Sequence, residues 1–323
     1  MAIASRDVDG VKPGSKYDRL IAAARAIPAA ATIVVHPCDE SSLRGVADAA
    51  EAGIIKPILV GPSSKIKEVA SRHRIDISGY ELVDVSHSEA AAAKAVELIH
   101  AGRGEILMKG SLHTDELMRS VTAKVGGLRT ERRISHVFVM DVPAYSETIL
   151  VTDAAINIFP DLDCKRDIVQ NAIDLYRHAG FGVSPRVAIL SAVETVTSKI
   201  PSTIEAAALC KMADRGQITG GLLDGPLAFD NAIDEEAARI KGIKSEVAGR
   251  AQILVVPDLE SGNMLAKNLA YFAKADGAGI VLGARVPIVL TSRADSPRAR
   301  MASCAVGTLY ADARRRRSQI AAA

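Results

Sequence analysis

Residues 105–125 read EILMKGSLHTDELMRSVTAKV, and this stretch decides the fold class. Its first four residues, 105–108, have the apolar character of a buried strand, which ends at Lys109 and Gly110. Residues 114–125 then place apolar side chains at the spacing of an amphipathic helix. A strand followed at once by a helix is the repeating unit of α/β proteins, whose strands form a parallel sheet with right-handed crossovers.

The same unit recurs on both sides of this stretch. Upstream, strands are predicted at 32–35, 57–60 and 81–85, and helices at 41–52, 63–72 and 88–101. Downstream, strands are predicted at 186–190, 221–223, 252–256, 280–282 and 288–290, and helices at 165–179, 202–213, 231–240, 262–275 and 300–315. This repetition predicts an α/β protein, in which the carboxyl ends of the parallel strands meet at one edge of a sheet.

The alternation of strands and helices is interrupted at residues 134–140 and 148–151. Two strands follow each other there across a loop that is too short for a helical crossover. Strands joined in this way pair antiparallel. We expect a domain boundary just after them, near Asp153.

This boundary predicts two three-layer α/β domains around a cleft. One domain comprises residues 1–152 together with 284–323, and the other comprises residues 153–283. The C-terminal helix returns to the first domain, so the chain passes twice between the two. Ligand sites favour such domain interfaces.

Composition argues against several classes of partner. A formal net charge of +2 and an aromatic content of 3%, with no Trp, do not favour a nucleic-acid-binding surface. The basic run at 314–317 is typical of a solvated helix end. No apolar run approaches the roughly 18 residues of a membrane span, and the first residues lack a secretory core, so we expect a cytoplasmic protein that does not bind membranes.

The cysteines indicate reduced thiols. They are far apart and have no metal-ligand spacing, which predicts no metal site. The four are Cys38, Cys164, Cys210 and Cys304.

Five strand-to-helix corners are rich in Gly, Ser, Thr, Asp and Asn. They cover residues 109–115, 191–195, 223–230, 257–263 and 290–296. Free backbone N–H groups at the start of a helix suit an anion, so these corners together predict an anion-binding pocket. The candidate binding residues at the first four corners are Lys109, Gly110, Ser111, His113, Thr114, Ser191, Asp224, Gly225, Pro226, Asp230, Gly262 and Asn263.

Familiar catalytic motifs are absent from the sequence. It contains no G-x-S-x-G elbow, no H-E-x-x-H motif, and no G-x-G-x-x-G after the first strand. Histidine side chains in general titrate near neutral pH, so His113 could act as a general base. A histidine at a helix start is equally explained by local hydrogen bonds, so both interpretations stay open.

At these corners the sequence resembles the phosphate acetyltransferase and phosphate butyryltransferase family. Seven segments match in the family's order and cover most of residues 105–300: LMKGSLHTDELM, RRISHVFVMDVP, TDAAINIFPDL, RVAILSAVET, LLDGPLAFDNAI, PDLESGNMLAKNLAYF and VPIVLTSRADS. The segments GSLHTDELM and LTSRADS are more similar to the butyryltransferases, including domains fused to enoyl-CoA hydratases, than to the housekeeping acetyltransferases.

The resemblance implies a fold like that of isocitrate and isopropylmalate dehydrogenases, with the C-terminal helix packed on domain one. It also implies a homodimer with no metal and no cofactor, since CoA and acyl-CoA are substrates. The family reaction converts acyl-CoA and phosphate to acyl phosphate and CoA, with acetyl or butyryl as the acyl group. Such chemistry needs hydrogen-bond donors for a tetrahedral oxyanion and a base for the CoA thiol.

The resemblance further implies roles for individual residues. Ser292 matches the donor to the oxyanion or the thiol, and Arg293 matches the residue that holds phosphate through a bidentate contact. Arg129 or Arg133 would supply a second cation. The matching positions at the corners that face the cleft are Asp224, Gly225, Pro226, Gly262 and Asn263.

Two family positions differ in this chain. The acetyltransferases carry an aspartate seven positions after the motif serine, assigned as the base for the thiol, and this chain has Ala299 there. The glycine after the motif arginine is also replaced, by Ala294. Asp295, Asp224 or Asp230 could take over, or phosphate itself could assist, so the base stays open.

Two other functions remain as hypotheses. The missing acid is consistent with a binding or regulatory module that recognises acyl-CoA or acyl phosphate without turnover. A metal- and nicotinamide-dependent decarboxylating dehydrogenase on the same fold would use Asp224, Asp230 and Asp258. The preferred acyl-chain length depends on pocket volume and is not readable from the sequence.

Overall fold

The computed structural model of the protein describes residues 15–290 and 295–322, which form strands and helices in alternation. The strands are β1 (Ala30–Val35), β2 (Ile55–Gly61), β3 (Glu81–Asp84), β4 (Ile106–Lys109), β5 (Ser135–Asp141), β6 (Ile149–Thr152), β7 (Arg186–Leu190), β8 (Leu222–Leu227), β9 (Ile253–Val255), β10 (Asp276–Leu282) and β11 (Ile288–Val289). The helices are α1 (Ser15–Arg25), α2 (Glu40–Glu51), α3 (Ser63–His73), α4 (Ser88–His100), α5 (Thr114–Val121), α6 (Leu162–His178), α7 (Pro201–Asp214), α8 (Phe229–Ile233), α9 (Glu235–Ile240), α10 (Leu259–Tyr271) and α11 (Pro297–Ala322). The α/β class predicted from the strand–helix pattern is confirmed.

The chain divides into two compact units. The split unit comprises Asp18–Arg132 together with Ala278–Ala323, and the central unit comprises Arg133–Gly277 with the N-terminal segment that ends at Tyr17. The division comes before β5, whereas the strand pattern predicts it after β6. The reason is that β6 pairs with β5 on one side and with β9 on the other, so the hairpin belongs to the central sheet.

In the split unit, the strand order is β3-β2-β1-β4-β11-β10. Strands β3, β2, β1, β4 and β11 run parallel, and β10 is antiparallel to β11. The central strands β1 and β4 are almost wholly buried, which explains their continuous apolar runs. The carboxyl ends of β1, β4 and β11 therefore lie at one edge of this sheet, and the end of antiparallel β10 lies at the opposite edge.

In the central unit, the strand order is β5-β6-β9-β7-β8. The predicted antiparallel pairing of β5 with β6 is confirmed, and β6, β9, β7 and β8 run parallel. An apolar core of Val, Ile, Leu and Ala side chains covers this sheet, including Val151, Leu190 and Leu254. The carboxyl ends of its four parallel strands again share one edge.

Several helices begin or end a few residues from the predicted bounds, and two of these differences have a clear local cause. The predicted helix 231–240 is two short helices, because Asp234 has an extended backbone and its carboxylate caps α9 by accepting the N–H of Ala237. The final helix begins earlier and ends later than 300–315. Ser296 caps it, since its hydroxyl accepts the N–H of Ala299.

None of the helices in the described parts of the chain combines the length and the apolar character needed to cross a bilayer.

Candidate active site

The first candidate site lies where β1 and β4 end in the split unit. We call it the β1–β4 corner and define it as His36, Cys38, Lys109, Gly110 and Ser111. Val35 and Lys109, the last residues of the two strands, are partners in the parallel register. The N–H of Gly110 donates to the carbonyl of Val35 at 2.8 Å, and that of Ser111 donates to the carbonyl of His36 at 2.9 Å.

Gly110 is required by this close approach of two chain segments. A Cβ atom at this position would lie 2.4 Å from the carbonyl oxygen of Val35 and 2.6 Å from that of His36. Both neighbours are backbone atoms that cannot swing away. The glycine thus allows the loop after β4 to bond directly to the loop after β1.

The imidazole of His36 is fixed against Ser111. The backbone of His36 has a φ of 55°, a left-handed conformation that is uncommon outside glycine but more frequent for His, Asn and Asp. Its Nδ1 lies 3.0 Å from the hydroxyl oxygen of Ser111. Burial lowers the pKa of His36 below its ordinary value of 6.5, and the charge of Lys65 lowers it further, against the opposing effect of Glu116.

The hydroxyl of Ser111 joins the two loops. It donates to the carbonyl of His36 at 2.8 Å and accepts the N–H of Cys38 at 3.2 Å. Burial raises the pKa of the Cys38 thiol to about 11, so this cysteine is a neutral thiol at physiological pH. Cys38 therefore supplies a backbone donor to the corner and no nucleophile.

Lys109 brings a positive charge to the corner. Its Nζ donates to the carbonyls of Gly110 and Leu112, each at 3.2 Å. The ammonium is half-buried above the loop that leads into α5. Lys109, Gly110 and Ser111 are thus brought together, as the sequence predicts for the first corner.

The neighbouring strand β11 leads into the motif that matches the family. Val289 is in register with Met108 of β4, so β11 ends beside the corner. Ser292, Arg293 and Ala294 lie outside the described residues. Asp295 is half-buried just before α11.

Ala299 occupies the first turn of α11, where it is 8% exposed. Its N–H is bonded to the hydroxyl of Ser296. A buried methyl group therefore occupies this position, and it cannot accept a proton.

Other predicted residues of the split unit lie apart from the corner. His113 and Thr114 are exposed at the start of α5, and the His113 side chain makes no capping hydrogen bond. Arg129 bridges to Ala284 beyond the carboxyl end of antiparallel β10. The backbone of Arg129 thus lies at the edge of the sheet opposite to His36 and Ser111.

The carboxyl edge of the central sheet holds three more predicted residues. Ser191 follows β7, is buried, and has its hydroxyl oxygen 2.9 Å from that of Ser202. Gly262 packs so closely that a Cβ would lie 2.7 Å from a methyl of Val256. Asn263 donates from Nδ2 to the carbonyl of Ala154 at 3.3 Å.

Asp224, Gly225 and Pro226 lie inside a strand, although the sequence predicts a corner. Asp224 is in register with Ala188 of β7, and β8 continues to Leu227. The reason is that pairing with β7 persists through a register shift and overrides the turn preference of an Asp-Gly-Pro sequence. The Asp224 carboxylate accepts the N–H of Gly225 at 2.8 Å.

Two predicted charged residues in the central unit are exposed. Asp230 lies in the first turn of α8. Arg133 is held through its backbone, whose N–H donates to the carboxylate of Asp167 at 3.0 Å. Both side chains are open to solvent and distant in sequence from each other.

Asp153, which the sequence suggests only as a boundary, is a buried carboxylate directly after β6. It is 3% exposed. Its oxygens accept the N–H groups of Ala155, Ile156 and Asn157 at 3.0–3.1 Å and the side-chain amide of Asn157 at 2.6 Å. An acid immediately after a buried apolar run is the sequence signal that could have indicated it.

His136, on β5, is sealed in the same unit. It is 3% exposed, stacks edge-on against Phe138, and its Nδ1 has no hydrogen-bond partner among the described residues. Burial lowers the pKa of His136 to about 4, against an opposing effect of Asp153.

Within residues 15–290 and 295–322, no three His, Cys, Asp or Glu side chains cluster in a way that could hold a metal ion.

Comparisons of the sequence with known proteins identify one family. Residues 88–307 match the family model described as phosphate acetyl/butaryl transferase. A phosphate acetyltransferase of Rhizobium meliloti is 74% identical over 95% of this chain and 97% of its own length. A phosphate butyryltransferase of Clostridium beijerinckii is 40% identical over 91% of this chain and 97% of its own.

A solved structure shows a similar fold. The branched-chain phosphotransacylase from Enterococcus faecalis V583 superposes with a TM-score of 0.76 at 29% identity. The match covers 87% of this chain and 99% of the other.

Proposed function

The chain belongs to the phosphate acetyl and butyryl transferase family and is a phosphate acyltransferase, and we propose that acetyl is the acyl group it transfers. The reaction joins acyl-CoA and phosphate to give acyl phosphate and CoA. One observation carries the choice of acetyl: the relative that shares 74% of its residues over almost the whole of both chains is a phosphate acetyltransferase. The butyryltransferase relative is much more distant, at 40%.

We propose that Ser292 and Arg293 contact the reacting groups. Ser292 donates a hydrogen bond to the oxyanion of the tetrahedral transition state, and Arg293 holds the phosphate through its planar guanidinium. Their place in the chain supports this assignment. They follow β11, whose register with β4 brings its carboxyl end beside Gly110 and Ser111.

The β1–β4 corner is proposed to bind the anionic part of the substrate. Lys109 supplies a positive charge that is half-buried at this edge. In the central unit, we propose contacts from the residues at or near the carboxyl edge of its sheet. These are Ser191, Asp224, Gly225, Pro226, Gly262 and Asn263.

We further propose an organisation like that of isocitrate and isopropylmalate dehydrogenases. Each unit is an α/β layer structure, and the C-terminal segment groups with the N-terminal half of the chain, which supports this assignment. We also propose a cytoplasmic enzyme that needs no cofactor beyond its CoA substrate. The four free cysteines are consistent with a reducing compartment.

A homodimer is proposed as the working form. The central unit exposes large apolar side chains, among them Phe159 at 79% and Phe272 at 83%. Burial of such side chains against a second copy would remove apolar surface from water, which favours association. Light scattering coupled to size-exclusion chromatography tests this, and a monomer at micromolar concentration contradicts it.

The choice of acyl group is tested by phosphate-dependent loss of the thioester with acetyl-, propionyl- and butyryl-CoA. We expect the highest kcat/KM with acetyl-CoA. Each added methylene should cost about 1–3 kcal/mol in a pocket fitted to acetyl, a decrease of roughly 10- to 200-fold. Equal or higher kcat/KM with butyryl-CoA overturns the choice, and no phosphate-dependent loss with any of the three overturns the enzyme itself.

The site assignment is tested by Arg293→Ala. Loss of a charged donor to the transferring phosphate should lower kcat/KM by about 10²- to 10³-fold and raise the KM for phosphate. Arg314→Ala, an exposed arginine on α11, is the matched control and should leave both constants unchanged. An Arg293→Ala enzyme with unchanged constants removes this residue from the site.

A further inference from the structure

The thiol of CoA must lose a proton when it attacks acyl phosphate, and the family aspartate that would accept it is absent. Ala299 is a buried methyl group in the first turn of α11. Asp39, the acid nearest to the β1–β4 corner in sequence, caps α2 by accepting the N–H of Ser42 at 2.8 Å. Position 299 therefore offers no base for the thiol, and the Asp39 carboxylate is engaged as a helix cap.

The hydrogen bonds of the corner determine where the proton of His36 sits. The hydroxyl of Ser111 donates its one hydrogen to the carbonyl of His36 at 2.8 Å. The 3.0 Å contact between that hydroxyl oxygen and Nδ1 of His36 is then a bond that Nδ1–H donates. In this tautomer, Nε2 carries no hydrogen and keeps its lone pair for another proton.

The charges around His36 keep the ring neutral near pH 7. Lys65 faces it from α3 and disfavours the imidazolium, whereas Glu116 from α5 and Asp39 before α2 favour it. Burial is the largest influence, and the net effect is a pKa below the ordinary 6.5. The Cys38 thiol next to it stays protonated, so it does not compete.

His36 stands at the edge where the reaction is proposed to occur. It directly follows β1, and β4 separates β1 from β11, so the ends of β1 and β11 are two strand spacings, about 10 Å, apart. The segment with Ser292 and Arg293 follows β11. The left-handed backbone and the bond to Ser111 hold the ring in one orientation at this edge.

We propose that His36 is the general base for the CoA thiol in this enzyme, an inference that rests on the proposed acyl transfer. As the sulfur forms its bond to the acyl carbon, Nε2 takes the thiol proton and the bond between that carbon and the phosphate oxygen breaks. The imidazolium then returns its proton to the departing phosphate or to water. In the reverse direction, the imidazolium protonates the leaving thiolate.

The first test is His36→Asn, because asparagine tolerates the left-handed backbone and can still bond to Ser111 but cannot accept a proton. We expect kcat for acetyl phosphate and CoA to fall by about 10²- to 10⁴-fold, with little change in KM. In the wild type, kcat/KM should fall below pH 6.5 as His36 becomes protonated, and this acid limb should vanish in the variant.

The matched control is His73→Gln, at the carboxyl end of α3, where the half-buried ring lies 3.2 Å from the carboxylate of Glu40; this variant should keep both the rate and the acid limb. An acid limb that is unchanged in His36→Asn overturns the proposal, as does a rate within a factor of three of wild type. If the wild type shows no phosphate-dependent acyl transfer, the proposed function fails, and that result is distinct from a failure of His36.

A second readout does not depend on activity. Long-range ¹H–¹⁵N correlation spectra of ¹⁵N-histidine-labelled enzyme at pH 7.5 should show His36 as the Nδ1–H tautomer. Ser111→Ala should shift its population towards Nε2–H. A wild-type His36 found as the Nε2–H tautomer, or as imidazolium at this pH, overturns the assignment of Nε2 as the base.

Discussion

Two histidines a hundred positions apart, His36 and His136, have pKa values displaced in the same direction for the same physical reason. Both are moved from water into the protein, and burial disfavours their charged forms. His136 sits within strand β5, sealed and stacked on Phe138. His36 sits one residue past the end of β1, half-buried, with Nδ1 bonded and Nε2 directed to no described partner.

The difference shows that a displaced pKa does not by itself identify a catalytic group. In the sealed region, titration is coupled to stability, because His136 takes up a proton at a higher pH in the unfolded chain than in the folded one. At the β1–β4 corner, titration can occur in the folded enzyme and can therefore be coupled to turnover. The experiments below test the buried region that holds His136 and the β1–β4 corner that holds His36.

The largest effect on stability should come from Asp153→Ala, which removes a buried carboxylate of the central unit. This change leaves three backbone N–H groups and one side-chain amide without their buried acceptor. We expect the free energy of unfolding to fall by about 4 kcal/mol, since each buried donor left unsatisfied costs about 1–3 kcal/mol before relaxation. Urea titration followed by circular dichroism measures this.

Asp76→Ala is the control for that change. Asp76 also accepts a backbone N–H, that of Ser78 at 2.9 Å, but it is exposed. Water replaces the carboxylate there, so the free energy of unfolding should fall by less than about 1 kcal/mol. Equal losses in the two variants would show that Asp153 is not a sealed structural acid.

Gly110→Ala should disturb the β1–β4 corner. The new methyl would meet two carbonyl oxygens at 2.4 and 2.6 Å, so the loop carrying Ser111 must move away from His36. We expect a loss of about 3 kcal/mol in stability, the upper range for overpacking, together with loss of the acid limb in the pH–rate profile.

Gly79→Ala is the matched control, because no atom lies within 4 Å of a Cβ at that position. It should leave stability, rate and pH profile unchanged. A Gly110→Ala enzyme that keeps the wild-type profile would show that the contact between Ser111 and His36 does not matter for turnover.

The pH dependence of stability should report His136. Its folded-state pKa of about 4 lies below the ordinary 6.5, so the unfolded chain takes up the proton first as the pH falls. Stability is therefore complete above pH 6.5 and is lost between pH 6.5 and 4. At pH 5 the loss should be about 2 kcal/mol, measured by urea titration at each pH.

His136→Phe should flatten this part of the stability curve, because an apolar ring does not titrate. His73→Gln should leave the curve as it is. If His136→Phe removes the acid limb of the rate profile instead, the two histidines have been assigned the wrong way round.

The smallest effect is expected from Ala299→Asp, which restores the family acid. A carboxylate in the first turn of α11 is favoured by the helix dipole but disfavoured by burial, so stability should change by only about 1 kcal/mol. We expect no gain in kcat, since His36 already accepts the proton. A gain of tenfold or more, with the acid limb moved to lower pH, would show that position 299 can supply the base.

The parts of the fold that were predictable are those in which burial alone decides the structure. Strands β1 and β4 are continuous apolar runs because both faces of their sheet are covered, and β5 and β6 pair antiparallel because the loop between them is short. Strand β8 was not predictable in this way. Its Asp-Gly-Pro sequence is typical of a turn, and only pairing with β7 makes it a strand.

The arrangement of the candidate site was predictable where its residues are neighbours in sequence, and not where they come from distant segments of the chain. Lys109, Gly110 and Ser111 are consecutive, so the sequence places them at one corner. His36 is separated from Ser111 by 75 positions, and no local pattern shows that its ring meets that hydroxyl. The opposite position of Arg129 follows from antiparallel β10, a pairing that sequence spacing does not reveal.

The division of the chain into units has a consequence for how it folds during synthesis on the ribosome. The central unit is almost continuous in sequence, so it can close its sheet once residue 277 has emerged. The split unit begins earlier but lacks β10, β11 and α11 until the last residues are made. Because domains fold as they become complete, the half that is started first is finished last. The edge of β4 that pairs with β11 stays open until residues 288–289 have emerged, so the nascent chain is most exposed to misassembly beside the β1–β4 corner.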